Sequence, residues 1–499
     1  MPQWRTAVPL LIGSILLAAS SRASAFATPA IWLALVLLLR AWRRTPRRAA
    51  APALAVALYA ALATGNRGLL PFGDPIYFGV AVVMAAVSLL PFLFDRWIGD
   101  RVPGAWATLA FPAAWVAEEY LRSLPLSGPA TWGSIAYTQY GNLPLMQLAA
   151  LTGLWGITFL IAWVASVAEL AGERGSDDPT VRRAARACGA VLGIVLLGGG
   201  ARLALAPDDS RTIRAATVSL PPGLFAPGEM FRIADGRIPL DAGGEAGEKL
   251  GRLREWFFDR TDREAAGGAR LVAWPEMNLL VAAADEPAVL ERARALAERR
   301  QIYLSMGMGT VRAGAAKPFE NKTVLVAPTG EVLYSYRKSR PVVGWEESVM
   351  RAGDGRIPVV ATDLGRVSSA ICFENDSPSF VRAIGRAGAE LWILPANDWE
   401  AIRFVHFEMA AFRAVENGTP ILRAASHGLS GAFDAWGRVV GVTNHVSGAG
   451  TFVVEMPTGH VFTPYAILGD VFAWCCVLGS ALLVRAAVRR PGPGPAAAS

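Results

Sequence analysis

Cysteine and histidine are scarce in this chain, with four of each among 499 residues. Cys188, Cys475 and Cys476 fall inside apolar segments, where we interpret them as small apolar filler. Cys372 stands alone in the polar part, so neither a disulfide framework nor a CxxC metal motif is available. The histidines are His406, His427, His445 and His460. They are too scattered to predict a metal site, and we expect no metal and no other cofactor.

Charged residues are also few. They make up 18% of the chain, whereas 53% of the residues are hydrophobic and the mean hydropathy is +0.35. A composition this apolar excludes a purely soluble protein and indicates that part of the chain lies in lipid. The net charge of +7 does not indicate nucleic-acid binding, because much of the arginine lies beside apolar segments and no basic stripe with interleaved aromatics occurs.

Long apolar runs predict about eight transmembrane helices. The candidate spans are at about 7–21, 25–41, 49–64, 75–94, 104–119, 143–170, 187–206 and 465–488. The first is also compatible with a signal peptide, although a second span follows almost at once. With eight spans, the arginine-rich stretches 40–48, 174–186 and 485–490 share one side, which the positive-inside rule makes the cytoplasm. The segment from 210 to 462 then faces the periplasm or its equivalent.

That outer segment alternates strand-like and helix-like runs, which predicts a layered α/β domain. The predicted strands are 212–218, 270–274, 302–306, 322–327, 332–336, 367–372, 391–395, 420–425 and 431–440. The predicted helices are 247–263, 286–300, 377–388 and 404–416. We therefore expect a membrane domain over 1–209, a catalytic domain over 210–462, a last transmembrane helix over 463–488 and a disordered tail over 489–499.

Three short motifs in the outer segment supply a carboxylate, an amine and a thiol. They are Trp274-Pro275-Glu276, Arg337-Lys338 and Ile371-Cys372-Phe373-Glu374, and each closes an apolar run. A thiol attacks an acyl carbon well only when a base takes its proton, and the oxyanion that forms needs a nearby cation or hydrogen-bond donors. Glu276, Lys338 and Cys372 are therefore the predicted base, oxyanion stabiliser and nucleophile.

Each of these residues also has an ordinary interpretation. Cys372 alone would be core filler, and Glu276 and Lys338 would be solvated loop charges. Their occurrence together favours chemistry, with Glu346 and Glu374 as nearby acids that orient the lysine or shape the pocket. A cysteine-histidine protease stays open at this point, but it needs a histidine close to Cys372 in space and leaves Glu276 and Lys338 without a role.

The motifs resemble those of the nitrilase, or carbon-nitrogen hydrolase, superfamily, and the membrane-embedded arrangement resembles the bacterial apolipoprotein N-acyltransferase family. Glu276, Lys338 and Cys372 stand at the family's glutamate, lysine and nucleophile positions. Glu346 matches its further essential glutamate, and Glu374 matches the acid two residues past the cysteine. Further stretches that resemble the family are 111–122, 147–160, 397–399 and 406–416.

The resemblance implies an α/β fold, a nitrilase-like αββα sandwich carried on about eight transmembrane helices. It implies a monomeric enzyme of the bacterial inner membrane that needs no cofactor and no nucleic acid. An acyl chain would pass from a phospholipid to a thioester on Cys372, and then to the α-amine of a diacylated apolipoprotein. Trp345, Phe373 and Trp399 are expected to support the pocket or bind substrate. With Val349 and Met350, the two tryptophans form either a lipid-facing mouth or ordinary core.

Two alternatives remain. One is a membrane-bound nitrilase-family amidase, or an acyltransferase with a different acceptor. The other is a catalytically silent scaffold of the cell envelope, against which the intact Glu276, Lys338 and Cys372 argue.

Overall fold

The computed structural model describes residues 4–21, 27–102, 104–124, 130–207, 211–221, 223–240, 243–443 and 450–489. The chain divides into two compact units, Met1–Ala206 with Leu468–Ser499, and Pro207–Ile467. We call them the helical unit and the α/β unit. His445 and the predicted tail from 490 onward lie outside the described residues.

The helical unit begins with ten helices among the described residues. They are α1 (Trp4–Ser20), α2 (Ala27–Arg44), α3 (Arg47–Gly65), α4 (Asp74–Ser88), α5 (Leu90–Gly99), α6 (Ala110–Arg122), α7 (Leu143–Met146), α8 (Ala149–Thr152), α9 (Trp155–Arg174) and α10 (Pro179–Ala204). Proline and glycine divide several of the apolar runs. Pro91 lacks an N–H for the helical ladder just after α4 ends, and Gly153, at a φ of 64°, ends α8 before α9 begins.

The α/β unit contains thirteen strands among the described residues. They are β1 (Thr212–Val218), β2 (Leu271–Ala273), β3 (Leu279–Ala282), β4 (Tyr303–Val311), β5 (Phe319–Val326), β6 (Val332–Arg337), β7 (Val359–Thr362), β8 (Gly365–Ser369), β9 (Leu391–Asn397), β10 (Ile421–Ser426), β11 (Gly431–Phe433), β12 (Val439–Val442) and β13 (Thr451–Pro457). The helices are α11 (Glu229–Ala234), α12 (Glu245–Ala266), α13 (Glu286–Arg300), α14 (Trp345–Val349), α15 (Pro378–Arg386), α16 (Arg403–Asn417) and α17 (Pro464–Leu468). The last helix, α18 (Val471–Val488), returns to the helical unit.

Several apolar helices fit a membrane crossing. Within the described residues, five helical segments are long and apolar enough: Arg47–Gly65, Asp74–Gly99, Trp155–Arg174, Pro179–Ala204 and Val471–Val488. The other predicted spans are less clear, because α1 has 17 residues, α2 ends in Arg43 and Arg44, and α6 has 13 residues. A membrane-spanning helical unit is therefore supported, and the number eight remains a prediction.

The strands of the α/β unit form two sheets. The first has the order β13-β1-β2-β4-β5-β6, with β3 also paired to β4, and the second has the order β12-β11-β10-β9-β8-β7. Pairing is parallel between β1, β2 and β4 and between β8, β9 and β10, and it is antiparallel at β4–β5 and β5–β6.

Buried apolar side chains show that the two sheets pack face to face. Leu271 and Leu325 of the first sheet share one cluster with Ile393 and Leu422 of the second. Helices α12 and α13 cover the other side of the first sheet, and α16 contacts the second sheet, where Phe407 stacks on Phe433 of β11. The layers therefore run helix, sheet, sheet, helix, as the resemblance implied.

This topology brings chemistry-bearing residues together. Parallel strands end at one edge of their sheet, so the residues that follow β8, β9 and β10 are neighbours. In the first sheet, Glu276 follows β2 closely and Lys338 follows β6 directly. Cys372 follows the end of β8 in the second sheet.

Candidate active site

Glu276, Lys338 and Cys372 meet between the two sheets, although long stretches of sequence separate them. Their side chains are buried, since the three residues are 2%, 0% and 6% exposed. The Lys338 ammonium donates to Glu276 at 2.8 Å, and the Cys372 thiol hydrogen-bonds to the same carboxylate. Glu276 therefore hydrogen-bonds to both of the other predicted residues.

Lys338 lies between two carboxylates. Its Nζ is 2.8 Å from Oε1 of Glu276 and 2.9 and 2.8 Å from Oε1 and Oε2 of Glu346. We call Glu276, Lys338 and Glu346 the acid-rich cluster, because two acids face one base. Burial disfavours the charged lysine, but the two carboxylates outweigh burial and raise the pKa of Lys338 well above its ordinary value. The ammonium is thus a fixed positive charge.

Burial raises the pKa of the Glu346 carboxyl above its ordinary value. The negative charge of Glu276 raises this pKa further, while the positive charge of Lys338 lowers it. The Glu346 Oε2 also accepts the backbone N–H of Val342 at 2.7 Å. Glu346 therefore both pairs with the lysine, as predicted from the sequence, and closes the loop that follows it.

Asn321 is a site residue that the sequence did not indicate. Its amide nitrogen donates to Glu276 at 2.7 Å and to Glu346 at 3.3 Å, and its backbone carbonyl accepts the N–H of Lys338. It lies inside β5, where an asparagine carries no local functional signal. Only the antiparallel pairing of β5 with β6 places it beside the lysine.

Cys372 occupies a sharp turn. It begins a 3₁₀ helix, Cys372–Asp376, and has a φ of 49°, a left-handed value that non-glycine residues rarely adopt. Glu374 fixes this turn, since its carboxylate accepts the N–H of Ile371 at 2.7 Å. The same carboxylate accepts the N–H of Ser339 at 2.6 Å and the hydroxyl of Tyr336 at 2.7 Å. Glu374 therefore ties the nucleophile turn to the chain around the lysine.

The Cys372 thiol is disposed to stay protonated at rest. Burial, the adjacent charge of Glu276 and the charge of Asp398 raise its pKa well above the ordinary value, while Lys338 opposes them. A thiolate therefore requires a proton acceptor, and Glu276 is hydrogen-bonded to the sulfur. This arrangement suits proton transfer at the moment of attack.

A second group of charged side chains lies on another side of Cys372. Asp376, Asp398, His406 and Arg423 are all at most 4% exposed, and we call them the balanced cluster because two acids face two bases. Arg423 donates to both oxygens of Asp398 at 2.8 and 2.7 Å, and His406 Nδ1 is 2.7 Å from Asp398. Atoms of Cys372, Asp398 and His406 lie within 4.8 Å of one another. The Asp398 oxygens are already bonded, so we describe this group as an ion-pair network.

A cavity of about 650 Å³ adjoins the triad. Met277 and Asp398, neighbours of Glu276 and Cys372, line it, together with apolar side chains of the segments 219–221 and 223–231. Trp399 also lines this cavity, and its role in substrate binding stays a prediction. Phe373 is half-buried on the 3₁₀ helix.

The other apolar residues proposed for a mouth belong to packing instead. Trp345 makes an edge-to-face contact with Phe231, with ring centres 4.8 Å apart, and donates to Asp235 at 3.0 Å. It also packs on the core of the first sheet. Met350 is fully buried in that core, and Val349 packs against it. The choice left open by the sequence is thus resolved toward core for Trp345, Val349 and Met350.

Two family models match this chain. Residues 253–461 match the family described as Carbon-nitrogen hydrolase. This range includes Glu276, Lys338 and Cys372. Residues 13–167 match the Apolipoprotein N-acyltransferase N-terminal domain. Together the two matches support an apolipoprotein N-acyltransferase of the nitrilase superfamily.

The similarity to apolipoprotein N-acyltransferases extends over most of the chain. The protein of that name from Geobacter metallireducens is 29% identical over 502 residues, covering 93% of this chain and 92% of the relative. Those from Bradyrhizobium diazoefficiens and Methylococcus capsulatus are 27% and 28% identical and cover 83% and 78% of this chain and 78% and 76% of the relatives. Among solved structures, an amidase from Nesterenkonia sp. is similar with 23% identity and a TM-score of 0.41, covering 51% of this chain and 93% of the amidase.

Proposed function

We propose that this chain transfers an acyl chain from a phospholipid, through a thioester on Cys372, to the α-amine of the N-terminal diacylglyceryl-cysteine of a lipoprotein. The observation that carries the proposal is the buried hydrogen bond from the Cys372 thiol to Glu276, which also holds Lys338, in a chain of the apolipoprotein N-acyltransferase family. The relative of this name from Geobacter metallireducens matches 93% of this chain, which supports the same reaction.

In the first half-reaction, Glu276 takes the thiol proton as the Cys372 sulfur attacks the ester carbonyl of the phospholipid. The negative charge on the carbonyl oxygen is stabilised by the Lys338 ammonium, which its two carboxylate partners keep charged. The ester C–O bond then breaks, and the leaving oxygen takes the proton from Glu276. Lysophospholipid departs and the acyl thioester remains.

In the second half-reaction, the free α-amine of the diacylated lipoprotein attacks the thioester. Glu276 accepts a proton from the amine and passes it to the Cys372 sulfur, which leaves as a thiol when the amide forms. Lys338 stabilises the second oxyanion in the same place as the first. The cavity beside the triad, lined by apolar side chains of the segments 219–221 and 223–231, is the space that we assign to acyl groups.

We propose that the protein works as a monomer in the bacterial inner membrane, with the α/β unit on the periplasmic side. The chain enters this unit from apolar α10 and leaves it toward apolar α18, and the arginine-rich loops favour a cytoplasmic location for the other ends of these helices. A phospholipid donor and a lipid-anchored acceptor are both confined to a bilayer surface. That confinement and a nearly water-free nucleophile favour transfer over hydrolysis.

The test is an incubation of the purified full chain in detergent with labelled phospholipid and a synthetic diacylated lipopeptide. We expect lysophospholipid and triacylated lipopeptide to form together, and a Cys475→Ala variant, which alters a cysteine of α18, to behave like the parent. Release of free fatty acid without triacylated product would instead identify a hydrolase. Absence of any acyl group on Cys372 would contradict both activities.

A further inference from the structure

The balanced cluster is not used by the proposed triad, yet it lies directly against the nucleophile. The nearest atoms of Cys372, Asp398 and His406 are within 4.8 Å of one another, and His406 Nε2 is 3.1 Å from Asp376. Asp376, Asp398 and Arg423 are 0%, 4% and 0% exposed, and His406 is 1% exposed. A charge at that distance in a buried site acts strongly on a sulfur, because little water screens it.

The cluster also joins the elements that carry the nucleophile. Asp376 is the last residue of the 3₁₀ helix that begins at Cys372, Asp398 directly follows β9, and Arg423 lies in β10. His406, on α16, reaches Asp398 with one ring nitrogen and Asp376 with the other. It therefore connects the turn of the nucleophile to the neighbouring strand end.

That connection matters because Cys372 is held in an unfavourable backbone conformation. A non-glycine residue with a φ of 49° persists only where surrounding contacts determine it. Glu374 holds the start of the turn through the N–H of Ile371, and the balanced cluster holds its end through Asp376. The sulfur is thereby fixed from two sides.

The charges of the cluster are matched. The ionisable groups that contact or closely approach the imidazole include Asp376, Asp398, Arg423 and the Cys372 thiol. With His406 charged, two positive and two negative groups cancel. Without that charge, the two carboxylates exceed the guanidinium and add one negative charge beside a sulfur that must itself become negative.

We propose that His406 is a positioning residue for Cys372: as the cation held between Asp376 and Asp398, it cancels the carboxylate charge near the sulfur and fixes the turn that carries it. This inference rests on the proposed role of Cys372 as the nucleophile. His406 is not assigned as a general base, because as a cation it carries a proton on each ring nitrogen and has no lone pair for the thiol proton.

The test measures the chemical reactivity of Cys372 without any lipid substrate. In a full-length chain with Cys188, Cys475 and Cys476 replaced by alanine, Cys372 is the single thiol. The rate of its alkylation by iodoacetamide is followed by mass spectrometry from pH 6 to 10 in the parent, His406→Gln, Asp376→Asn and the double variant. His460→Gln, which alters a half-buried histidine lining a different pocket, is the matched control.

The expected pattern follows the net charge. In His406→Gln, the curve of alkylation rate against pH should shift to higher pH by about one unit, and alkylation at pH 8 should be about tenfold slower. Asp376→Asn should displace it in the opposite direction, and the double variant, which is neutral again, should return to within about threefold of the parent. His460→Gln should leave the profile unchanged.

Two results would overturn the inference. One is an unchanged profile in His406→Gln together with a lower melting temperature, which is the result of a merely structural role. The other is a double variant that stays as slow as His406→Gln. If His406→Gln does not fold, Asp376→Asn is the deciding variant. The charge argument is contradicted if Cys372 is not alkylated faster in Asp376→Asn than in the parent. Acyl transfer is measured separately on the parent, so a failure of the proposed function is seen independently.

Discussion

The acid-rich cluster and the balanced cluster both lie against Cys372 and both are buried, yet they differ by one negative charge. Glu276 and Glu346 face a single base, Lys338, whereas Asp376 and Asp398 face His406 and Arg423. A buried carboxylate that lacks a cation of its own binds a proton readily. A buried carboxylate that is paired with a cation has much less tendency to do so. In the mechanism proposed above, the first cluster moves protons and the second holds charge and backbone in place.

The largest effect is expected from removal of the Cys372 sulfur, against which both clusters lie. Cys372→Ala should abolish both acylation of the protein and formation of triacylated lipopeptide, because the variant lacks the sulfur that forms the thioester. Cys372→Ser should lose most turnover, since a hydroxyl gives up its proton far less readily than a thiol. Both are measured with labelled phospholipid in detergent. Cys188→Ala is the control, and residual thioester in Cys372→Ala would contradict the assignment.

Removing the proton acceptor tests the acid-rich cluster directly. Glu276→Gln should slow acylation of Cys372 by about 10² to 10⁴-fold, the range typical of a general base. The matched control is Glu286→Gln, because Glu286 is also a mostly buried carboxylate bonded to a lysine, Lys322, in the same unit. The measurement is single-turnover formation of the thioester. A loss of less than about tenfold would show that Glu276 is not the base.

The balanced cluster should be visible in the pH dependence of stability. Burial opposes the charge on His406, but Asp376 and Asp398 outweigh it and raise its pKa to about 9. Because this exceeds the ordinary value near 6.5, the stabilisation is complete below about pH 6.5 and is lost as the pH rises toward 9. The loss is about 3 kcal/mol.

The measurement is the difference in melting temperature between the parent and His406→Gln in detergent. That difference should be largest near pH 6 and should shrink steadily up to pH 9. A difference that is constant over this range, or that grows with pH, would contradict a charged His406.

The smallest expected effect sharpens the comparison at the turn itself. Glu374→Gln replaces one acceptor oxygen with an amide that cannot accept from Ile371 or Ser339, so the nucleophile turn should loosen. We expect about a tenfold lower turnover number with little change in apparent affinity for phospholipid. Glu264→Gln, at a carboxylate bonded to Thr451, is the control. An equal loss in both variants would indicate general destabilisation.

Much of the α/β unit was predictable because its periodicity is local. The predicted strand 212–218 coincides with β1, and the predicted helix 286–300 coincides with α13. The predicted strand 431–440 is wrong, because the turn at Asp434 divides it into β11 and β12. Asp434 accepts the N–H groups of Trp436 and Arg438, and Gly437 takes a positive φ of 78°. Likewise the strand predicted to reach Cys372 ends at Ser369, since Cys372 already belongs to the turn.

Part of the candidate site could also be predicted from local sequence patterns. Glu276, Lys338 and Cys372 each close an apolar run, which is a local pattern, and the structure brings them together. Asn321 and Arg423 lie inside buried strands and make their contacts only through strand pairing, so no short segment reports them. His406 was one of several scattered histidines until α16 placed it beside Asp398.

The central claim is that Cys372 carries the acyl chain between two lipid substrates. The most direct measurement is the intact mass of the peptide that contains Cys372, first after incubation with a phospholipid of known acyl chains and again after addition of a diacylated lipopeptide. We expect a mass gain equal to one acyl chain and then its loss as triacylated lipopeptide appears. An unmodified Cys372 during active turnover, or a thioester that the lipopeptide amine never discharges, would contradict the account.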